Sequence, residues 1–211
     1  WAVRQLQKYP EQVKDELRVF LGNHPQFKEI EDYLPTQKAK ALDGTNLELK
    51  EHQKVALKAL EAMRDNSETI ALLYHATGTG KTTTAVLDAK RCGGRVLFIA
   101  HTQELVDQAT KRFRELWVNT AVGRYCDVVK QPRAHVVCGS VQSVALHLED
   151  FKDDDFDYLI VDEAHHAAAD TYQKVLSYFK PSFTLGLTAT PERADDKRIL
   201  ATFKNTSHKL D

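Results

Sequence analysis

The chain has 211 residues, a formal net charge of −1 and 42% hydrophobic residues, which allows one domain with a sizeable core and excludes wholesale disorder and fibrous classes. The longest apolar runs are strand-sized, well short of the roughly 18 residues that a membrane span requires. The 3 cysteines form no CxxC pair, so we expect a cytoplasmic protein with reduced thiols and no membrane partner.

Residues 1–45 differ in pattern from the rest of the chain. Pro10 and Pro25 each suit the first turn of a short amphipathic helix, and a polar linker follows at residues 36–46. The chain starts at Trp1 without a signal-peptide pattern, so we interpret it as an internal piece of a longer protein. We predict a helical N-terminal extension, or a linker from a preceding domain, over residues 1–45.

From residue 46 onward, helical patterns alternate with short apolar strands. The helical stripes are Val55, Ala56, Ala59, Leu60 and Met63, then a helix over 81–92, then Leu105, Val106, Ala109, Phe113 and Trp117, a short helix near 141–148, and Tyr172, Val175, Leu176 and Phe179. The predicted strands are 69–75, 95–100, 135–139, 157–161 and 183–188. Strands this apolar are buried on both faces, so the alternation predicts an α/β domain over residues 46–211, with a mainly parallel sheet covered by helices on both faces.

A glycine-rich segment, HATGTGKT at His75–Thr82, lies between a predicted strand and a predicted helix, which is the context of a P-loop. Its glycines allow a tight turn whose N–H groups point at phosphate oxygens, and the next helix adds its positive N-terminal end. Lys81 can reach the β and γ phosphates, and the Thr82 hydroxyl can bind magnesium. The first position, usually glycine, is a histidine here. The alternative is an ordinary glycine-rich turn.

A second polar segment, LIVDEAHH at 159–166, ends an apolar strand in two carboxylates. Such carboxylates are costly unless they bind something at the carboxyl end of the strand, where open α/β sheets place their ligands. Asp162 is suited to hold hydrated magnesium, and Glu163 to orient and deprotonate the attacking water. The alternative is that both cap the next helix. The adjacent His165 and His166 do not share a helix face, which disfavours a zinc site.

These segments together resemble the first RecA-like domain of a superfamily 2 DEAD/DEAH-box helicase or translocase. The group that they resemble most contains the motor subunits of type I and type III restriction enzymes. The resemblance covers roughly residues 47–211 and rests on ordered strings: ATGTGKT, AHTQELVDQA at 100–109, GSVQS at 139–143, VDEAHH at 161–166 and GLTATPER at 186–193.

The resemblance implies roles for matching residues. The catalytic residues are Lys81, Asp162 and Glu163, with Thr82 and Asp162 as the Mg²⁺ ligands. The nucleotide is bound by Gln53, which reads adenine, and by Thr77, Gly78, Thr79, Gly80, Lys81 and Thr82. Nucleotide state is coupled to nucleic-acid binding through His165, Thr188 and Thr190. The nucleic-acid backbone is contacted by Thr102, Glu104, Ser140, Gln142 and Ser143. For Thr102, Ser140 and Ser143, plain helix capping remains an open alternative.

The resemblance also implies a function. The domain is expected to bind ATP and Mg²⁺ as the motor half of a DNA helicase or translocase. A second RecA-like domain of the full-length chain supplies arginine fingers, so residues 1–211 alone are expected to be nearly inactive as an ATP hydrolase. Whether nuclease, specificity or methyltransferase subunits are attached is not implied by the resemblance. The alternatives are an RNA helicase of the same superfamily and a nucleotide-binding switch or assembly module without productive hydrolysis.

Overall fold

The computed structural model describes residues 49–76, 78–164, 167, 169–189 and 208–209. The predicted extension at residues 1–45 lies outside the described residues, as do Thr77, His165 and Thr190, to which the resemblance assigns roles. Within the described part of the chain, no helix is long and apolar enough to cross a membrane.

Helices and strands alternate along most of the described chain, except at β3, β4 and β5, which follow one another directly. The helices are α1 (Glu51–Asp65), α2 (Lys81–Cys92), α3 (Gln103–Leu116), α4 (Val141–Leu146) and α5 (Asp170–Tyr178), with a 3-10 turn at Leu148–Asp150. The strands are β1 (Ile70–Tyr74), β2 (Val96–Ala100), β3 (Val122–Cys126), β4 (Val129–Lys130), β5 (Val136–Ser140), β6 (Tyr158–Val161), β7 (Phe183–Thr188) and β8 (His208–Lys209). The predicted bounds of α2 and β7 agree with the observed ones, and the other predicted strands agree to within one residue at each end.

The strands form one sheet in the order β4-β3-β5-β2-β6-β7-β1-β8, in which neighbours are parallel except for β3 and β4. Helices α1, α2 and α3 pack on one face, around residues such as Leu60, Val86 and Phe113. Helices α4 and α5 pack on the other face, around Val144 and Val175. The predicted parallel sheet with helices on both faces is confirmed. The carboxyl ends of its parallel strands meet at one edge, where such sheets bind their ligands.

The sequence pattern does not predict β3 and β4, and two residues of β3 explain why. Arg124 interrupts the apolar run, but its guanidinium pairs with the Asp107 carboxylate of α3 at 2.6 Å. Gly123 is unfavourable in a strand, yet a Cβ at this position would lie 2.8 Å from the Cβ of Ala134. Both residues fit the strand through contacts with distant parts of the chain, which local periodicity does not reveal.

The predicted apolar stripe of α1 is wrong at one position. Val55 is 41% exposed, whereas Leu57 and Leu60 are 1% and 3% exposed. The buried face therefore includes Leu57 in place of Val55, because the contacts of α1 with β1 and α2 decide which of its residues are covered.

A buried polar network joins α1, α2 and β6. The Asp88 side chain is fully buried and accepts two hydrogen bonds from Arg64, at 2.6 and 2.9 Å, and one from the Tyr158 hydroxyl at 2.6 Å. Burial, followed by the effect of the Asp88 carboxylate, raises the pKa of Tyr158 well above its usual value, so the phenol stays protonated and donates. The network ties three elements together near the amino ends of the parallel strands, where Tyr158 begins β6.

We expect Asp88→Ala to lower the free energy of unfolding by about 3–5 kcal/mol, because Arg64 and the Tyr158 hydroxyl lose their buried partner. Urea denaturation followed by circular dichroism measures the change. Lys54→Ala serves as the control, because Lys54 forms an exposed ion pair with Glu51 at 3.2 Å and its loss should cost less than about 1 kcal/mol. Equal values for the two variants would show that the Asp88 network does not stabilise the fold.

Candidate active site

A cleft of about 550 Å³ opens at the carboxyl edge of the sheet. One wall comes from the loop before α2 and from the residues after β6, and the other comes from α3. Strand β7 separates β1 from β6 in the sheet. The glycine-rich segment after β1 and the polar segment after β6 therefore lie on either side of β7, and both contribute residues to the lining of this cleft.

The loop before α2 owes its shape to two glycines. Gly78 and Gly80 have φ values of +76° and +93°, in the left-handed region that residues other than glycine rarely adopt. Gly80 is the N-cap of α2, and the first residues of the helix, whose N–H groups have no partner within the helix, line the cleft. A Cβ at Gly80 would lie 2.5 Å from Nε2 of Gln53, so both the conformation and the space require glycine there. This geometry suits an anion at the helix N-terminus.

Lys81 begins α2, and its side chain is folded back over the loop. Its Nζ donates to the carbonyl oxygens of His75 and Ala76, at 3.0 and 3.4 Å. Only 9% of Lys81 is exposed. The ammonium is thus held at the cleft by two backbone oxygens, which phosphate oxygens would replace as stronger, charged partners.

Asp162 and Glu163 follow β6 and line the same cleft. The Asp162 N–H continues the sheet by donating to the Ile99 carbonyl at 2.9 Å, and Oδ1 of Asp162 accepts from the Glu163 N–H at 3.0 Å. Burial raises the pKa of Asp162 to about 6. Glu163 has a φ of +51°, an uncommon conformation for a residue with a side chain and one that clusters at functional sites.

Asp162 and Glu163 do not cap α5. That helix begins at Asp170, and its N-cap is Ala169. The two carboxylates therefore line the cleft and lie away from the start of α5. Ala164, directly after them, lies in a 3-10 turn, so capping of that turn remains the alternative to a catalytic role.

The chemistry of this donor set fits a magnesium ion. Asp162 supplies a carboxylate that is 6% exposed, whose ionised form a bound cation would stabilise. Thr82, which lines the same cleft, supplies a hydroxyl. Mg²⁺ prefers oxygen ligands and usually takes one or two from the protein, completing its shell with water and phosphate oxygens. These two residues would hold the ion, and the ion would neutralise phosphate charge.

The first turn of α1 contacts the loop through His52 and Gln53. Gln53 is buried, its Oε1 accepts from the Lys50 N–H at 3.1 Å, and its Nε2 lies 3.4 Å from the Gly80 carbonyl oxygen. Both ends of its amide thus have partners within the chain. The adenine contact that the resemblance assigns to Gln53 stays a prediction; it would use the second N–H and the second lone pair of the amide.

The residues predicted to contact nucleic acid lie at the adjacent ends of β2 and β5, where Ala100 pairs with Ser140. Thr102 is the N-cap of α3 and accepts from the Leu105 N–H, and Ser140 is the N-cap of α4 and accepts from the Ser143 N–H. The further contacts run from Gln142 to the His101 carbonyl, from Gln108 to Glu104 and from the Asp127 N–H to the Ser143 hydroxyl. Helix capping is therefore confirmed for Thr102 and Ser140, and the nucleic-acid contacts stay predictions.

Thr188, which the resemblance assigns to coupling, ends β7 between the two halves of the cleft. It is 1% exposed, and its carbonyl accepts from the N–H of His75, the first residue of the loop, at 3.2 Å. The structure thus connects the end of β7 directly to the phosphate loop, although the coupling role itself remains a prediction.

The sequence pattern did not predict two features of the site, namely the wall formed by α3 and the contact of His52. The α3 wall of the cleft includes Gln108, Arg112 and Glu115, and the four-residue spacing from Gln108 to Arg112 was the available signal, because such residues share a helix face. His52 also contacts the loop, and its place directly before Gln53 was the corresponding signal.

The fold and the cleft together define a P-loop NTPase domain of the superfamily 2 helicase type. The profile of the family described as type III restriction enzyme, res subunit, matches residues 46–193, and the chain belongs to this family.

Individual relatives agree with the family. The chain is 30% identical over 173 residues to the putative ATP-dependent helicase IRC3 of Saccharomyces cerevisiae, covering 72% of this chain and 24% of the relative. It is 31% identical over 169 residues to the type I restriction enzyme EcoAI endonuclease subunit of Escherichia coli, covering 73% and 21%. Among solved structures, the helicase domain of Pyrococcus furiosus Hef aligns with a TM-score of 0.62 and 25% identity, covering 75% of this chain and 36% of that one. The chain therefore spans about a quarter or less of these two sequence relatives.

Proposed function

We propose that residues 46–211 form the ATP-binding motor half of a DNA helicase or translocase that hydrolyses ATP with Mg²⁺ to move along DNA. The observation that carries the proposal is the meeting of Lys81, Asp162 and Glu163 in one cleft beside the start of α2. A cation and free helix N–H groups bind phosphates, and a carboxylate at the same site can serve as the base for water. This combination of groups is the one that phosphoryl transfer to water needs.

Each group has a separate task in this mechanism. Lys81 leaves the carbonyls of His75 and Ala76 and binds the β and γ phosphates. The N–H groups at the start of α2 bind the remaining phosphate oxygens. Glu163 orients the attacking water and accepts its proton at a carboxylate oxygen. Little covalent chemistry falls to the protein, so positioning and charge stabilisation supply most of the rate.

We propose DNA as the nucleic acid along which the motor moves, with RNA as the second candidate. The type I restriction enzyme relative and the strings ATGTGKT and TATPER favour DNA motors. ATPase rates of the full-length protein with duplex DNA, single-stranded DNA and RNA test the choice. Stimulation by RNA alone would contradict the proposal and establish the second candidate.

A nucleotide-binding switch without productive hydrolysis is a different class of function. Glu163 argues against it, because a module that only binds nucleotide needs no water-activating carboxylate next to the proposed magnesium ligand. We propose instead a complete motor in which a second RecA-like domain, from a part of the protein outside this chain, closes over the cleft. Nuclease, specificity or methyltransferase subunits are further partners that fit a restriction enzyme context.

Replacing Lys81 tests the nucleotide site directly. We expect Lys81→Ala to weaken ATP binding by more than about tenfold, since a charge-assisted contact contributes roughly 1.5–3 kcal/mol. Calorimetric titration with ATP and magnesium measures the affinity. Lys90→Ala is the matched control, because Lys90 lies near the other end of α2 and donates to the Leu116 carbonyl at 3.0 Å. Equal affinities of the two variants would contradict the assignment of the site.

A further inference from the structure

We propose that His52 is a positioning residue for the phosphate loop: it holds the Thr79 carbonyl so that the next N–H group, that of Gly80, faces the phosphates. This inference rests on the proposed nucleotide site and adds a residue that the glycine-rich segment does not contain. It assigns a task to the first turn of α1 other than reading the base.

The contact itself is a hydrogen bond across 27 residues of sequence. Nε2 of His52 lies 3.1 Å from the Thr79 carbonyl oxygen. A carbonyl oxygen only accepts, so Nε2 carries the proton and donates. The neighbouring Gln53 reaches the Gly80 carbonyl oxygen at 3.4 Å. Two consecutive side chains of α1 therefore hold two consecutive carbonyls of the loop.

The geometry of the peptide bond turns this contact into control of the N–H groups. In a planar trans peptide, the C=O and the following N–H point in opposite directions. Holding the Thr79 carbonyl towards α1 consequently directs the Gly80 N–H away from α1. The Gly80 carbonyl is also bound by the Thr84 N–H within the helix, at 3.0 Å. The peptide between Thr79 and Gly80 precedes the helix, so it depends more on His52.

The ring of His75, the unusual histidine at the start of the loop, packs against the ring of His52. The rings of His52 and His75 are 5.1 Å apart and meet edge to face at 85°. His75 is 8% exposed, and its two ring nitrogens have no hydrogen-bond partner among the described residues. Its ring therefore acts as a packing surface for His52, while its backbone binds Thr188 and Lys81. This packing explains why a histidine is accommodated where the loop pattern has glycine.

The variants separate hydrogen bonding from packing. His52→Phe keeps an aromatic ring against His75 and removes the donor, whereas His52→Gln restores an N–H donor of similar reach. His52→Asn is too short to reach Thr79 and serves as a second variant without the contact if the Phe variant does not fold. His147→Phe is the matched control, because His147 pairs with Glu149 at the end of α4, away from the cleft.

The probes are ATP and inorganic tripolyphosphate, which has the phosphates without the base. Calorimetric titration of the 211-residue chain is expected to show a threefold to tenfold loss of affinity in His52→Phe, by the same factor for both probes, as for one hydrogen bond. His52→Gln should return to within about twofold of the parent, and His147→Phe should match it. An unchanged His52→Phe, a loss confined to ATP, or no recovery in His52→Gln would each overturn the inference.

The Lys81→Ala variant distinguishes failure of this inference from failure of the proposed site. If Lys81→Ala binds ATP as tightly as the parent, the nucleotide site is wrong and His52 has no loop to position for phosphate. If Lys81→Ala loses affinity while His52→Phe does not, the site stands and the role of His52 is wrong.

Discussion

Glu163→Gln is expected to lower ATP turnover of the full-length protein by about 10²-fold or more while leaving ATP affinity nearly unchanged, the loss typical of removing a general base. Glutamine keeps the shape of the side chain and loses its basicity. Glu163 and Asp162 line the same cleft but are held differently: the Asp162 carboxylate accepts the Glu163 N–H, and Glu163 has a left-handed backbone. We therefore expect a substitution of Glu163 to change the chemical step without changing nucleotide binding.

Single-turnover kinetics and calorimetry on the same samples give both quantities. Glu115→Gln is the matched control, because Glu115 lines the cleft from α3 and pairs with Arg112 at 3.0 Å. Its turnover should stay within about threefold of the parent, since it serves as no base in the mechanism. Equal losses of turnover and affinity in Glu163→Gln would mark Glu163 as a structural residue, and full turnover would exclude it as the base.

A large loss of ATPase rate is also expected when residues 1–211 are expressed alone. We expect them to bind ATP and to hydrolyse it about 10³–10⁵-fold more slowly than the full-length protein with saturating DNA, which is the contribution of an arginine finger in related phosphate chemistry. Binding should persist because the loop, Lys81 and Asp162 all belong to this domain. The described sheet has a core on both faces, so the domain should fold by itself.

Steady-state ATPase rates of the two proteins test this expectation. Arg112 is the described arginine that lines the cleft, but its guanidinium pairs with Glu115 within α3. A fragment rate within about tenfold of the full-length rate would mean that no second domain is needed. Arg112→Ala in the fragment would then show whether Arg112 supplies the charge, because its rate would fall.

The amino-acid sequence alone was enough to predict the local backbone structure around the candidate site. Glycine is the residue that accepts a positive φ, so the loop at Gly78 and Gly80 is encoded locally, as is the start of α2 directly after it. The apolar strand before Asp162 is likewise readable, because a strand buried on both faces is a continuous apolar run. Each of these features depends on residues within a few positions of one another.

Only the tertiary structure decided which distant residues meet. It placed β7 between β1 and β6, so that one cleft holds Lys81 and Glu163. It also engaged both ends of the Gln53 amide and brought His52 to the Thr79 carbonyl. The physical reason is that strand order and side-chain hydrogen bonds across tens of residues depend on how whole elements pack, whereas periodicity reports only which face of each element is apolar.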